Sequence, residues 1–321
     1  MTRGNASDSQ PWGALTLENE HISVTVLPEV GAKIHEFIDR ELQRDLLYHH
    51  PRVEVRAPVF GVNVDNWWSG GIDDCFPTGH ACVVNGEELP FLGEVWSLPW
   101  TVEEYTGTEM RLSRTGVVTP FRMTKSLRLD PGQRSMSVSY EISNLGYEPF
   151  PYLWGIHPAV PLGQSTRIRV PATTVRYGDG RDANGSLSPE FVSGAVDNPW
   201  PVASLSEFGP TPSLSWHHVY LTGLTQGWLA VEDSVEGWGL GVTFPLEVFP
   251  WVHIWVVDGG WRGIRCAVAE PWTGAPARLD RAIESGSARL LGVGETVQAD
   301  VRISSLRLGE PVPGPSEGEV S

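Results

Sequence analysis

Positive charge is scarce in this chain: 23 Lys and Arg face 39 Asp and Glu among 321 residues, a formal net charge of -16. No basic run or Lys/Arg-rich face is available to attract a phosphate backbone, so nucleic acid is not an expected partner. Long apolar runs are also missing. None approaches the roughly 18 residues that cross a bilayer, and residues 1–10 are polar, without the apolar core of a signal peptide. No membrane partner and a cytoplasmic location are therefore expected. Cysteine is limited to Cys75, Cys82 and Cys266, an odd and widely spaced set with no C-x-x-C pair, which argues against a zinc or redox motif and for reduced, buried thiols. Apolar stripes at helical spacing are absent over any three turns, which disfavours an alternating βα fold; 277–284 is the one short helix expected. No internal repeat is apparent.

What the chain does have is strand periodicity. Hydrophobic residues make up 40% and charged residues only 19%, enough to bury a substantial core. In Ser135-Met136-Ser137-Val138-Ser139-Tyr140-Glu141-Ile142 every second residue is apolar, the mark of a half-buried strand. Similar alternation runs through 22–26, 167–170 and 297–303, and turn formers such as Asn85-Gly86, Asp130-Pro131-Gly132 and Asn144-Leu145-Gly146 separate such runs. An all-β architecture with few short helices follows. The stretch 171–212, rich in Gly, Pro, Asp, Asn and Ser, reads as loops over a binding face rather than an interdomain linker, since strand patterns flank it. Residues 1–10 and 309–321 have little to bury and are expected to be disordered, leaving 11–308 as one domain. The 14 tryptophans suit sugar rings as well as cores.

Two segments could carry proton chemistry. His157 follows an apolar run and precedes Pro158, which is expected to end strand pairing and leave the imidazole at a strand end or rim. Its titration range suits a general acid or base if it faces a cleft, and a structural histidine if it does not. Glu270 closes the run Ala267-Val268-Ala269 ahead of Pro271-Trp272, surroundings that would desolvate it and strengthen it as a base; an exposed strand-end carboxylate is the plain alternative.

Taken together, Trp154-Gly155-Ile156-His157-Pro158-Ala159 followed about a hundred residues later by Ala269-Glu270-Pro271-Trp272-Thr273-Gly274 resembles the aldose 1-epimerase (galactose mutarotase-like) family. The segments Gly70-Gly71-Ile72-Asp73-Asp74-Cys75-Phe76-Pro77-Thr78 and Gly93-Glu94-Val95-Trp96-Ser97-Leu98-Pro99-Trp100 resemble its more divergent branch, and the likeness extends over 15–308. The resemblance implies one large antiparallel β-supersandwich that binds an aldose without metal or organic cofactor. It also implies a mechanism in which Glu270 takes the proton of the anomeric hydroxyl while His157 protonates the ring oxygen, so that the hemiacetal opens and recloses as the other anomer. Relatives commonly carry a further histidine just ahead of the Gly-Glu-Val-Trp segment; here the stretch reads Pro90-Phe91-Leu92-Gly93, and His80 is the nearest replacement.

Candidate substrate contacts are Arg56, Trp68, Asp74, His80 and Trp272, because sugars are held by polar groups at their hydroxyls and by aromatic faces. Each has a structural alternative: Arg56 as a surface ion pair, the tryptophans as core, Asp74 as a turn residue, His80 as an exposed loop residue. The pairs His49-His50 and His217-His218 are discounted as metal ligands, because neighbours in a strand point to opposite faces. Asp65, Asp73 and Asp74 match no fixed metal motif, and no metal is expected. The expected partner is a small-molecule sugar, bound by a monomer or homodimer. A sugar-binding protein without turnover and a different sugar isomerase or lyase reaction on the same scaffold remain the alternatives.

Overall fold

The computed structural model describes residues 13–181 and 197–312. The expected disorder at 1–10 and most of that at 309–321 lie outside the described residues. Glu310 is bound by Arg134 at 2.7 and 2.9 Å and accepts the Arg307 N–H at 3.0 Å, so the chain is anchored beyond the boundary expected at 308.

Two antiparallel sheets dominate, one of 11 strands and one of 9. In the larger, the strand Lys33–Asp39 is followed in space by Ile72–Cys75, Gly155–Pro161, Arg265–Trp272, Trp251–Asp258, Ser215–Thr222 and Thr174–Arg181. The centre of the smaller sheet is built from Phe121–Leu129, Ser135–Asn144 and Thr296–Arg307. Met136, Val138, Tyr140 and Ile142, the apolar half of the strongest alternation in the sequence, meet Ile156, Val252, Ile254, Val256, Ala267 and Ala269 of the larger sheet in one continuous core. The architecture is the expected all-β sandwich. The only described helix in 277–284 is the short Leu279–Glu284, and among the described residues no helix is long and apolar enough to cross a membrane.

Strand parity then decides which side chains can form a site. Along Trp251–Asp258 the even positions enter the core, so Trp251, His253, Trp255 and Val257 face the other way; along Arg265–Trp272 the same rule turns out Cys266, Val268, Glu270 and Trp272. This second face is covered by the connecting segments that carry Tyr48, Trp68, Leu92 and Trp96, which form a separate apolar cluster with it. Asn85 and Gly86, with φ of 53° and 85°, make the two-residue turn of a hairpin in that cover, where positive φ at both positions gives the twist the flanking strands need. All three cysteines are buried and free.

The stretch 171–212 differs from its reading as loops. Thr174–Arg181 is a strand paired with Ser215–Thr222, and Asp197–Pro199 pairs with its outer edge. Val175 is fully buried in the shared core, but its Thr and Arg neighbours and the glycines at 178 and 180 mask the alternation.

Candidate active site

The second face of the larger sheet forms the floor of a cavity of about 340 Å³, at the small end of the range for ligand pockets. His157 and Glu270 both line it. They stand on adjacent strands whose bonded pairs are Gly155 with Trp272 on one side and Ala159 with Val268 on the other. The register is the same on both sides, so His157 lies opposite Glu270, at the cross-strand spacing of about 5 Å between Cβ atoms. Pro158 and Pro271 fall in the interval between the bonded pairs, where neither can donate to the ladder. Contrary to expectation, Pro158 does not end the strand. Only one donor is lost, pairing continues to Pro161, and His157 sits inside the sheet rather than at its rim.

Trp272 is held flat against this site because its neighbour is Gly155: a Cβ there would lie 2.2 Å from the indole. The indole Nε1–H donates to Glu270 Oε2 at 2.9 Å, and the ring stacks on His253 with centroids 4.7 Å apart. Burial pushes the Glu270 carboxyl well above the usual carboxylate range, opposed by the Trp272 hydrogen bond. Burial, reinforced by the Lys33 ammonium, lowers His157 to about 3. Both shifts run towards the uncharged forms, a carboxylic acid beside a neutral imidazole.

The remaining walls are mainly imidazole and indole, with Asp65, Val64, Phe91, Leu92 and Ala277 among them. His253 is fully buried and its Nε2–H points to the Gly274 carbonyl at 3.0 Å. His218, one strand further on, lies 5.6 Å from His253 and 5.5 Å from His80, centroid to centroid. Trp68 meets His157 edge-on at 5.8 Å and Trp255 at 5.5 Å. Among the described residues no Lys or Arg lines the cavity. Among the described residues no group of three or more His, Cys, Asp and Glu is arranged to hold a metal ion.

Leu92 forms part of the wall. Its backbone has φ of 60° and its N–H reaches the Gly79 carbonyl at 2.6 Å. The turn is fixed from behind by Glu94, a fully buried carboxylate that accepts the N–H groups of Val117, Val118 and Thr119 at 2.6 to 2.9 Å. The position expected of a family histidine is thus part of the cavity but apolar. His80 supplies an imidazole nearby, stacked on Phe91 at 4.6 Å.

Among solved structures, a proposed aldose 1-epimerase of Escherichia coli K12 is 19% identical, covers 92% of this chain and 99% of its own, and superposes with a TM-score of 0.68. The chain has the galactose mutarotase-like fold. A second proposed aldose 1-epimerase, from Klebsiella pneumoniae, is similar at 17% identity and TM-score 0.70 over 89% of this chain and 77% of that one. A galactose mutarotase related enzyme of Lactobacillus acidophilus is similar at 15% identity and 0.67 over 94% and 99%. A family model described as a domain of unknown function, DUF5107, matches residues 2–89.

Within this mutarotase-like frame, His157, Glu270, Trp68, His80 and Trp272 come together in one cavity. Two candidates do not join them. Asp74 is buried on the opposite face of its strand, bound to Lys125 at 2.7 Å and Tyr140 at 2.8 Å, because one step along a strand reverses the side chain. Arg56 is exposed outside the cavity, its guanidinium 3.9 Å above the Trp67 ring and donating to the Asn66 carbonyl at 3.2 Å. His253, Trp216, Trp255 and Trp261 line the cavity without having been singled out in the sequence, and His218, weighed there only as a metal ligand, lines it too. The signal was available in Trp251-Val252-His253-Ile254-Trp255, an alternation of apolar residues with aromatic and imidazole ones. His217 and His218 do point to opposite faces, His217 stacking on Phe208 while His218 enters the cavity.

Proposed function

We propose that the protein is an aldose 1-epimerase-type isomerase acting on a neutral, unphosphorylated sugar, with Glu270 as base and His157 as acid. The observation that carries this reading is the pairing of these two side chains at opposed positions of adjacent strands on the floor of one cavity. Opening a hemiacetal requires proton removal at the anomeric hydroxyl and proton delivery to the ring oxygen, two atoms on the same carbon. An acid and a base at cross-strand spacing can serve both, and closure of the ring on the other face restores each to its starting state. The mechanism uses the charge-separated pair, Glu270 ionised and His157 protonated, against the direction in which burial shifts both groups, with the Trp272 N–H favouring the Glu270 anion. The indole and imidazole walls supply apolar faces and neutral hydrogen-bonding groups, and among the described residues no lysine or arginine lines the cavity, which disfavours a phosphate.

The test is anomer exchange by NMR saturation transfer across a panel of aldoses, comparing wild type with Glu270→Gln. Loss of a general base is expected to slow exchange by about 10²–10⁴-fold; equal exchange in the two proteins would reject the assignment. Leu92 favours one second reading, a sugar-binding protein without turnover, since it removes an imidazole from the wall. Calorimetry showing binding of an aldose whose anomers are not exchanged would select that reading.

A further inference from the structure

Asp73, His157, Glu270, His253 and Tyr220 occupy successive paired positions on five neighbouring strands, a single row across the cavity face of the sheet. Two atoms in that row stand out. Asp73 Oδ2 is bound to Lys33 Nζ at 2.7 Å, and the same ammonium reaches the Gly70 carbonyl at 2.6 Å, but Asp73 Oδ1 is buried without a partner. His157 Nδ1 is likewise buried without a partner, so Nε2 is the ring nitrogen left to face the cavity.

We propose that Asp73 is the positioning residue of His157, its Oδ1 accepting a hydrogen bond from Nδ1–H and so reserving Nε2 for proton exchange with the substrate. The proposal rests on the role given to His157 above. The two atoms are not bonded in this conformation, but their residues are direct cross-strand partners, with Cβ atoms about 5 Å apart, and side-chain rotation is enough to join them. One bond would satisfy two buried polar atoms, each of which is costly to leave without a partner.

The chemistry asks for the same bond. An imidazole that gives up a proton at Nε2 must pass through the imidazolium, which burial and the Lys33 charge both oppose. The charged group that acts on it is Lys33; Asp73 and Glu270 are its cross-strand neighbours, and His218 couples to it at a greater distance. Of the two carboxylates among these, Asp73 is the one with a buried oxygen that has no partner. The competing neighbour is the Trp68 indole, packed edge-on against His157, whose Nε1–H is also buried without a partner. A bond from Trp68 to Nδ1 would impose the opposite tautomer and oppose the imidazolium.

Long-range proton–nitrogen correlation spectra of the full-length chain labelled with ¹⁵N-histidine decide between them, with His157 identified by its loss in His157→Gln. The expected result is an Nδ1–H tautomer near neutral pH, with a downfield ring proton that disappears in Asp73→Asn. An Nε2–H tautomer in wild type would overturn the proposal. Since Asp73→Asn also strips Lys33 of its counter-charge, the wild-type tautomer carries the test by itself. The two readings fail separately: an Nε2–H tautomer in a protein that exchanges anomers removes only Asp73's role, whereas an Nδ1–H tautomer without any exchange removes the catalytic role and leaves the hydrogen bond.

Discussion

Asp73 and Asp74 are consecutive residues of one strand, both buried and each paired with a buried lysine, yet they face opposite sides of the sheet. On the core side, Asp74 uses both oxygens, one on Lys125 and one on the Tyr140 hydroxyl, and Lys125 adds a bond to the Ala32 carbonyl at 2.8 Å. On the cavity side, Asp73 keeps one oxygen unpartnered, and so do His157 Nδ1, His218 Nε2, His253 Nδ1 and Trp68 Nε1. The difference separates a completed buried charge pair from an incompletely bonded cavity floor. A buried charge in a core is completed by its own neighbours, because anything less is expensive in a low dielectric. A cavity floor that withholds partners leaves hydrogen-bonding capacity for a ligand.

The strongest way to break this comparison is at Asp74. Asp74→Ala leaves Lys125 charged and unpaired between the sheets and takes the acceptor from Tyr140, a change of about 3–5 kcal/mol for a broken buried pair. A fall in the urea midpoint of that size is expected, and a loss below about 1 kcal/mol would show that water or rearrangement satisfies Lys125.

A second adjacent pair sharpens the point at smaller magnitude. His217 lies on the core side, stacked on Phe208, and burial lowers it to about 4; burial also holds its neighbour His218, in the cavity, well below 6.5. For His217 the folded value lies below the unfolded one, so between about 6.5 and 4 the unfolded chain binds the extra proton. Its contribution to stability is full above about 6.5 and declines as the pH falls towards 4. Glu270 acts with the opposite sign, since its folded value is raised: its contribution is full below 4.5 and lost as the pH rises through the folded value. His217→Phe is therefore expected to flatten the acid side of the stability profile by about one proton, or ~1.4 kcal/mol per pH unit. Unfolding midpoints at pH 7, 6 and 5 measure this, and an unchanged slope would mean that His217 is not held neutral.

The fold was legible because its information is local and repeated. Alternation at 135–142 and 297–303 names both the strands and the side that is buried, and the turn chemistry at Asn85-Gly86 gives a hairpin. His157 and Glu270 were legible through the motifs around them. Arg56 and Asp74 were misplaced for a different reason: a residue type suited to sugars says nothing about which face of a strand it occupies, and Asp73 rather than Asp74 shares the face of His157. His253 was missed because a histidine in an apolar strand looks like core until the partner strand is known, and His218 was weighed only as a metal ligand. Register across three strands sets His253 opposite Glu270 and His218 on the same face one strand further on, and no single segment contains it.

The smallest effect is expected where the same kind of pairing stands in water. Glu103, on the outer strand Thr101–Tyr105 of the smaller sheet, accepts from Arg122 at 2.6 Å, Ser113 at 2.6 Å and Arg111 at 3.1 Å, as many partners as Asp74 and its lysine make between them. The arginines are substantially exposed and the interaction is screened, so geometry of this quality is worth only about 0.2–1 kcal/mol. Glu103→Gln is expected to shift the urea midpoint by no more than that, with the shift vanishing in 1 M salt. A loss approaching that of Asp74→Ala would mean that partner number rather than burial sets the cost, and the contrast between the two faces of the Ile72–Cys75 strand would lose its physical basis.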